Sequence, residues 1–210
     1  MRIRKVKNKD KMYDSNLIIF NPENYKNNWN KFFNNSNPIY LEIGMGKGNF
    51  IIENALRYPN INFIGLERFD DIIYKAFIKL ESKLPNLIFI KGDADNLLDY
   101  FSKEINLLYL NFSDPWPKNK HEKRRLTSNK YLEYYNEILN DNHIIFKTDN
   151  RKLFEYSLIN FNNYKYNIEY LSLDLYKDND INNIETEYEI KKRELGPIYK
   201  VEVRKKDNNE

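Results

Sequence analysis

The sequence predicts an α/β domain on a mostly parallel, seven-stranded sheet, with helices on both faces and an antiparallel last strand. Three observations predict it. From Ile39 onward, strand-like and helix-like segments alternate, the pattern of parallel strands joined by helical crossovers. The first of these strands runs directly into a glycine cluster that opens a helix. The last two strand candidates, 166–173 and 198–203, have no helix between them long enough for a crossover, so they are expected to pair antiparallel. At 210 residues the chain is long enough for one such domain and short for two.

In chain order, residues 1–36 read as a basic tail followed by a short helix around 23–33, which the run Asn34, Asn35, Ser36, Asn37, Pro38 ends. The domain proper spans 37–205, and 206–210 form a polar tail. Ile39–Ile43 is the first strand, Asn62–Glu67 the second, 87–90 the third, 106–112 the fourth and 143–148 the fifth. Between the second and third lies the clearest helix. Phe69, Ile72, Ile73, Ala76, Phe77, Leu80 and Leu84 repeat at three-and-four spacing, with Asp71, Lys75, Lys79 and Lys83 on the opposite face. A further helix covers 150–161.

Composition removes several classes of function. There is no cysteine, which excludes disulfides and thiolate chemistry, and His121 and His143 are the only histidines, so no metal centre is expected. No apolar run approaches the roughly 18 residues of a membrane span, and the basic start lacks the apolar stretch of a signal peptide. A cytoplasmic protein with no membrane partner is the expectation. Net charge is only +3, but positive residues gather at Arg2, Arg4, Lys5, Lys7, Lys9 and Lys11, and again at Lys118, Lys120, Lys123, Arg124 and Arg125, which points to a polyanionic partner. Asn and Lys abound throughout, so clusters carry weight that single residues do not.

Three of the six glycines fall within five residues: Gly44, Gly46 and Gly48. Glycine serves where a backbone turns sharply or meets a ligand closely. Glu67, 19 residues after Gly48, ends the second strand, where a carboxylate can accept from both hydroxyls of a ribose. The spacing fits neither the dinucleotide pattern G-x-G-x-x-G nor a phosphate-binding P-loop. With Glu42 included it becomes E-x-G-x-G-x-G, which resembles the first motif of class I methyltransferases. That resemblance implies their Rossmann-like fold and S-adenosylmethionine as cofactor, with Glu42 helping to hold its ammonium group. Gly44, Gly46 and Glu67 would also contact it, and Asp93 and Ala94 would meet its adenine. The plainer alternatives are a tight turn at Gly44 to Gly48 and a helix cap at Asp93.

After the fourth strand comes Asn111-Phe112-Ser113-Asp114-Pro115-Trp116-Pro117-Lys118, where open parallel sheets carry their chemistry. This string and the basic run after it resemble the bacterial tRNA (guanine-N7)-methyltransferases. Phe146-Lys147-Thr148-Asp149-Asn150 and Thr186-Glu187-Tyr188-Glu189 are similar to that family's other signatures, in the same order. The resemblance spans about 39–203. It implies that Asp114 lies beside cofactor and target base as the catalytic residue, and that Lys118, Asp149, Thr186, Glu187, Tyr188 and Glu189 contact the substrate. It also implies that Lys120, His121, Glu122, Lys123, Arg124 and Arg125 bind RNA, the target being guanine 46 of the tRNA variable loop. Asp141-Asn142 replaces the family's frequent Gly-Gly turn. Trp116 either stacks on a base or anchors the turn, and Asp149 either contacts substrate or caps the next helix. A monomer or a homodimer is compatible with the sequence. The competing assignment is a nucleic-acid methyltransferase acting on exocyclic amino groups, whose Asp-Pro-Pro-Tyr motif is similar to 113–116.

Overall fold

The computed structural model describes residues 10–205 apart from 14, 81, 179 and 181. The basic residues at 2–9 and the polar segment 206–210 therefore lie outside the described residues. In chain order the elements are α1 (Asp10–Tyr13), β1 (Ile18–Ile19), α2 (Trp29–Phe33), β2 (Ile39–Ile43), α3 (Asn49–Arg57), β3 (Asn62–Glu67), α4 (Asp70–Phe77), β4 (Leu87–Lys91), α5 (Leu97–Tyr100), β5 (Ile105–Asn111), α6 (Asn129–Ile138), β6 (Leu139–Thr148), α7 (Arg151–Asn163), β7 (Tyr166–Ser172), α8 (Glu187–Lys192) and β8 (Tyr199–Lys205). One sheet contains all the strands, in the order β1-β4-β3-β2-β5-β6-β8-β7. From β1 to β6 neighbours are parallel; β8 runs antiparallel to both β6 and β7.

Among the described residues the strand count is eight rather than seven. The addition is β1, whose two residues pair with Phe89 and Ile90 at the β4 edge. The segment before Ile39 also packs. Trp29 is buried, donates from Nε1 to the Tyr100 carbonyl at 3.0 Å and lies against Phe101 with ring centroids 5.5 Å apart. Alternating side chains send Leu41, Ile64 and Leu108 to one face, covered by α2, α5, α6 and α7, and Tyr40, Phe63 and Phe89 to the other, covered by α3 and α4. No helix among the described residues is long and apolar enough to cross a membrane.

Two elements depart from the periodicity reading. Helix α4 ends at Phe77, although the apolar spacing continues to Leu84. Lys79 and Leu80 donate to Ala76 and Phe77 carbonyls in tighter turns, and Pro85 turns its predecessor away from helical geometry. Leu80 and Leu84 still pack against the core on that face. Strand β6 starts at Leu139, four residues early, because the Asp141-Asn142 pair sits in a bulge. Asn142 adopts φ +46°, and the register with β5 slips between Ile105 and Leu107.

The sheet order reverses between β2, continued by β3, and β5, continued by β6. The loops leaving β2 and β5 consequently diverge at one crevice on the carboxyl edge, where α/β sheets receive ligands.

Candidate active site

The glycine loop leaves β2 with both Gly44 and Met45 donating their N–H groups to the Leu66 carbonyl, at 2.8 and 3.1 Å. All three glycines take positive φ, +76°, +58° and +76°. A side chain on Gly48 would place Cβ 2.9 Å from the Ala76 Cβ, so glycine there lets α3 start against α4. On Gly44 and Gly46 it would meet open space, leaving the loop's outer face accessible.

Beneath the loop, Glu42 is 1% exposed. Its Oε1 accepts from Asn111 Nδ2 at 2.9 Å, but Glu42 Oε2, Asn111 Oδ1 and, two residues on, Ser113 Oγ are buried without partners among the described residues. Burial pushes the Glu42 carboxyl up to about 7, against the pull of the Asn111 hydrogen bond and the Lys147 charge. Buried acceptors left unpaired are costly. A cation bearing several N–H donors, such as the α-ammonium of S-adenosylmethionine, is what this donor-poor group lacks. Glu67 is also buried. It accepts from Gly46 N–H at 3.2 Å through Oε2, and from Arg68 and Phe69 N–H at 2.9 and 3.1 Å through Oε1, which fixes its carboxylate beside the loop. Burial raises its pKa while those three amides oppose the rise. Gly92 N–H bonds the Glu67 carbonyl at 3.1 Å, bringing Asp93 and Ala94 to the neighbouring strand end. Asp93 does cap a short turn, accepting from Asp95 N–H at 3.0 Å, and lies 3.8 Å from Arg68.

The loop after β5 is strained. Phe112 and Trp116 have φ of +51° and +41°, a left-handed conformation that aromatic residues rarely adopt. Arg125 holds it, donating from Nε to the Pro115 carbonyl at 3.1 Å and from Nη2 to the Trp116 carbonyl at 3.2 Å. Arg124 lies 4.9 Å over the Trp116 ring, and His121 is 5.7 Å from it. Trp116 is thereby clamped into the turn by its own neighbours. Asp114, between these anchors, is exposed and makes no hydrogen bond or ion pair with a described residue. Lys118, Lys120 and Lys123 are exposed as well. Of the basic run, then, Arg124 and Arg125 are engaged within the protein and the three lysines face solvent.

Asp149 is not a helix cap. Asn150 caps α7, accepting from Leu153 N–H at 2.9 Å, while Asp149 Oδ2 accepts from Tyr188 OH at 3.2 Å and lies 3.4 Å from Lys192 Nζ. The Tyr188 ring sits 5.1 Å from that of Phe112, so the three substrate motifs meet. Thr186 and Glu189 form a reciprocal capping box for α8. Glu189 is wholly buried. Its carboxylate receives Lys147 Nζ at 2.6 Å, Asn183 Nδ2 at 2.8 Å and Tyr176 OH at 3.1 Å. Lys147, 2% exposed, spends its remaining protons on Asn183 Oδ1 and the Ile184 carbonyl; burial lowers its pKa and Glu189 draws it back up. Glu187 points elsewhere, accepting from Lys47 Nζ at 2.5 Å and from Lys79. Sequence reasoning gave no role to Asn111, Lys147, Lys47 or Lys79. Asn111, Lys147 and Lys47 stand inside the motifs; Lys79 carried no signal beyond its place on a polar helix face.

Among the described residues, His143, Glu169 and Glu202 bring potential ligand atoms within 4.8 Å of one another. Arg204 stands among them, 2.9 Å from Glu169 and 3.0 Å from His143 Nδ1, making an ion-pair network. It lies five residues back along β6 from Thr148, roughly 16 Å at 3.3 Å per residue.

The fold and the site together define a class I S-adenosylmethionine-dependent methyltransferase. Residues 36–201 match a family described as "Putative methyltransferase". The chain is 48% identical over 194 residues to the tRNA (guanine-N(7)-)-methyltransferase of Bacillus subtilis (strain 168), covering 90% of this chain and 91% of that one. It is 45% identical over 210 residues to the protein of the same name in Streptococcus mutans, covering 97% and 100%. The protein belongs to the tRNA (guanine-N7)-methyltransferase family. Among solved structures, the 16S rRNA methyltransferase KamB shares the fold with a TM-score of 0.62 at 11% identity, over 86% of this chain and 94% of that one.

Proposed function

We propose that this protein methylates N7 of the guanine at position 46 in the tRNA variable loop. One observation carries the reading: the partner-short Glu42–Asn111 pair sits at the ends of the two strands that flank the sheet's switch point, and the exposed, unpaired Asp114 lies on the loop that leaves the second of them. Glu42, Gly44, Gly46, Glu67, Asp93 and Ala94 would hold the cofactor, which supplies an electrophilic sulfonium methyl group when bound.

Guanine N7 has an in-plane lone pair and no proton, so the protein need provide no general base. Alignment is what remains to be provided, and well-oriented reactions gain roughly 7–11 kcal/mol that way. Asp114, free of internal partners, is available to the base: a carboxylate can accept from guanine N1 and N2 hydrogens and can stabilise positive charge developing on the purine. Asp149 and Tyr188 would form the adjoining wall. Thr186 and Glu189, engaged in the capping box and the Lys147 pair, would serve by holding that wall in place. Lys118, Lys120 and Lys123 suit phosphate contacts, joined by the basic residues of the N-terminal segment; such contacts help offset the cost of drawing the base from its stack. With tRNA as substrate, the cytoplasm is the compartment this reading implies.

The test is methyl transfer from labelled cofactor to tRNA transcripts carrying guanine or adenine at position 46, followed by nucleoside mapping. N7-methylguanosine formed only with guanine 46 is expected. A methylated exocyclic amine, or equal labelling of both transcripts, would overturn the reading.

A further inference from the structure

Helix α8 is tied to three other parts of the site through three consecutive residues. Side chains in a helix turn by about 100° per residue, so Glu187, Tyr188 and Glu189 reach different elements: the glycine loop, the Phe112–Asp149 wall and the buried Lys147. The contact to the loop is the most elaborate. Lys47, between Gly46 and Gly48, donates to Glu187 Oε2 at 2.5 Å. Lys79, beyond the end of α4, donates to Glu187 Oε1, to Asn49 Oδ1 at the start of α3, and to the Lys47 carbonyl at 3.0 Å. Lys79 thus grips both the backbone of the loop and the carboxylate that holds the loop's side chain. All three charged side chains are partly shielded from solvent, where ion pairs are screened less than on an open surface.

We propose that Glu187 is a positioning residue: with Lys47 and Lys79 it forms an ionic latch that holds the glycine loop in its cofactor-receiving shape and couples that loop to the substrate wall. This rests on the reading of 44–48 as the cofactor loop, and it gives Glu187 a different task from the substrate contact implied by family resemblance. Because Tyr188 faces Asp149 on the same helix turn, ordering of either ligand's pocket favours the other, and such coupling is reciprocal.

The experiment is a double-mutant cycle on the full chain with Glu187→Gln, Lys47→Met and the double variant, with S-adenosylhomocysteine as the titrated probe. Binding of unmodified tRNA and the urea midpoint are measured alongside. Glu187→Gln is expected to weaken S-adenosylhomocysteine about 5- to 10-fold, within the usual range for coupled sites, while tRNA affinity measured without the probe stays at the wild-type level. The double variant is expected to bind the probe no more weakly than the weaker single variant, because both changes open the same latch. Wild-type probe affinity in Glu187→Gln would overturn the latch, whether KM for tRNA rises (direct substrate contact) or only the urea midpoint falls (a structural role). Additive losses in the double variant would overturn it too. Should the wild-type protein yield a product other than N7-methylguanosine, the functional reading fails, and the probe titration still decides the latch.

Discussion

Replacing Glu42 by Gln should separate what this carboxyl costs the fold from what it contributes to binding. In the free protein, burial raises it from an ordinary value of 4.5 to about 7, a difference that corresponds to roughly 3 kcal/mol. The folded state therefore holds a proton that the unfolded chain has released between about pH 4.5 and 7. Stability contributed by the neutral form is present below 4.5 and is lost as pH rises through 7. At pH 8 the Gln variant, which cannot ionise, is expected to be more stable than the wild type by up to about 3 kcal/mol in urea denaturation. A bound ammonium group reverses the preference and drives the carboxyl to ionise. Titrating S-adenosylhomocysteine at pH 6 in buffers of different ionisation enthalpy should reveal release of most of one proton, and clearly less at pH 8. Glu42→Gln should release none and bind far more weakly. Absence of proton release at pH 6 would refute the assignment of Glu42 to the cofactor's cation, and a Gln variant less stable than wild type at pH 8 would refute the cost of its burial.

Asp114→Ala should lower single-turnover methyl transfer by at least about 100-fold while filter-binding affinity for tRNA is retained; undiminished transfer would remove Asp114 from the chemistry. Lys147→Met strands the Glu189 carboxylate and should cost about 3–5 kcal/mol by urea denaturation, with partial recovery on adding Glu189→Gln. A loss below about 1 kcal/mol would mean the pair is not the pin of α8. Lys120→Ala and Lys123→Ala should each weaken tRNA binding and shallow its salt dependence by close to one counterion. Arg125→Ala, which frees the 112–118 turn, should lower kcat instead.

The central sheet was legible because each parallel strand is a short apolar run between turn signals, and β2 and β3 fall on Ile39–Ile43 and Asn62–Glu67 as read from the chain. Strand β1 was not, since two residues carry no period and their pairing is decided by the exposed β4 edge. The end of α4 was missed because Leu80 and Leu84 serve the core without being helical. In the site, residues that act locally were readable: the glycine turn and the Asp-Pro-Trp-Pro turn. Pairings that span the chain were not. Glu187 finds Lys47 across 140 residues, and one lysine in a chain rich in lysine does not announce its partner. For the same reason a motif suggested that Glu189 meets substrate, whereas its carboxylate is closed off by Lys147.

The place of β8 between β6 and β7 sets an order on the ribosome. Strand β7 is synthesised first but finds its neighbour only in β8. The same late stretch of chain delivers Glu187 to a loop made some 140 residues earlier. A growing polypeptide can assemble the parallel strands from β1 to β6 as they emerge, yet its glycine loop stays unlatched and its sheet edge open until α8 and β8 have followed. Methylating competence then arrives as a single late event rather than by degrees.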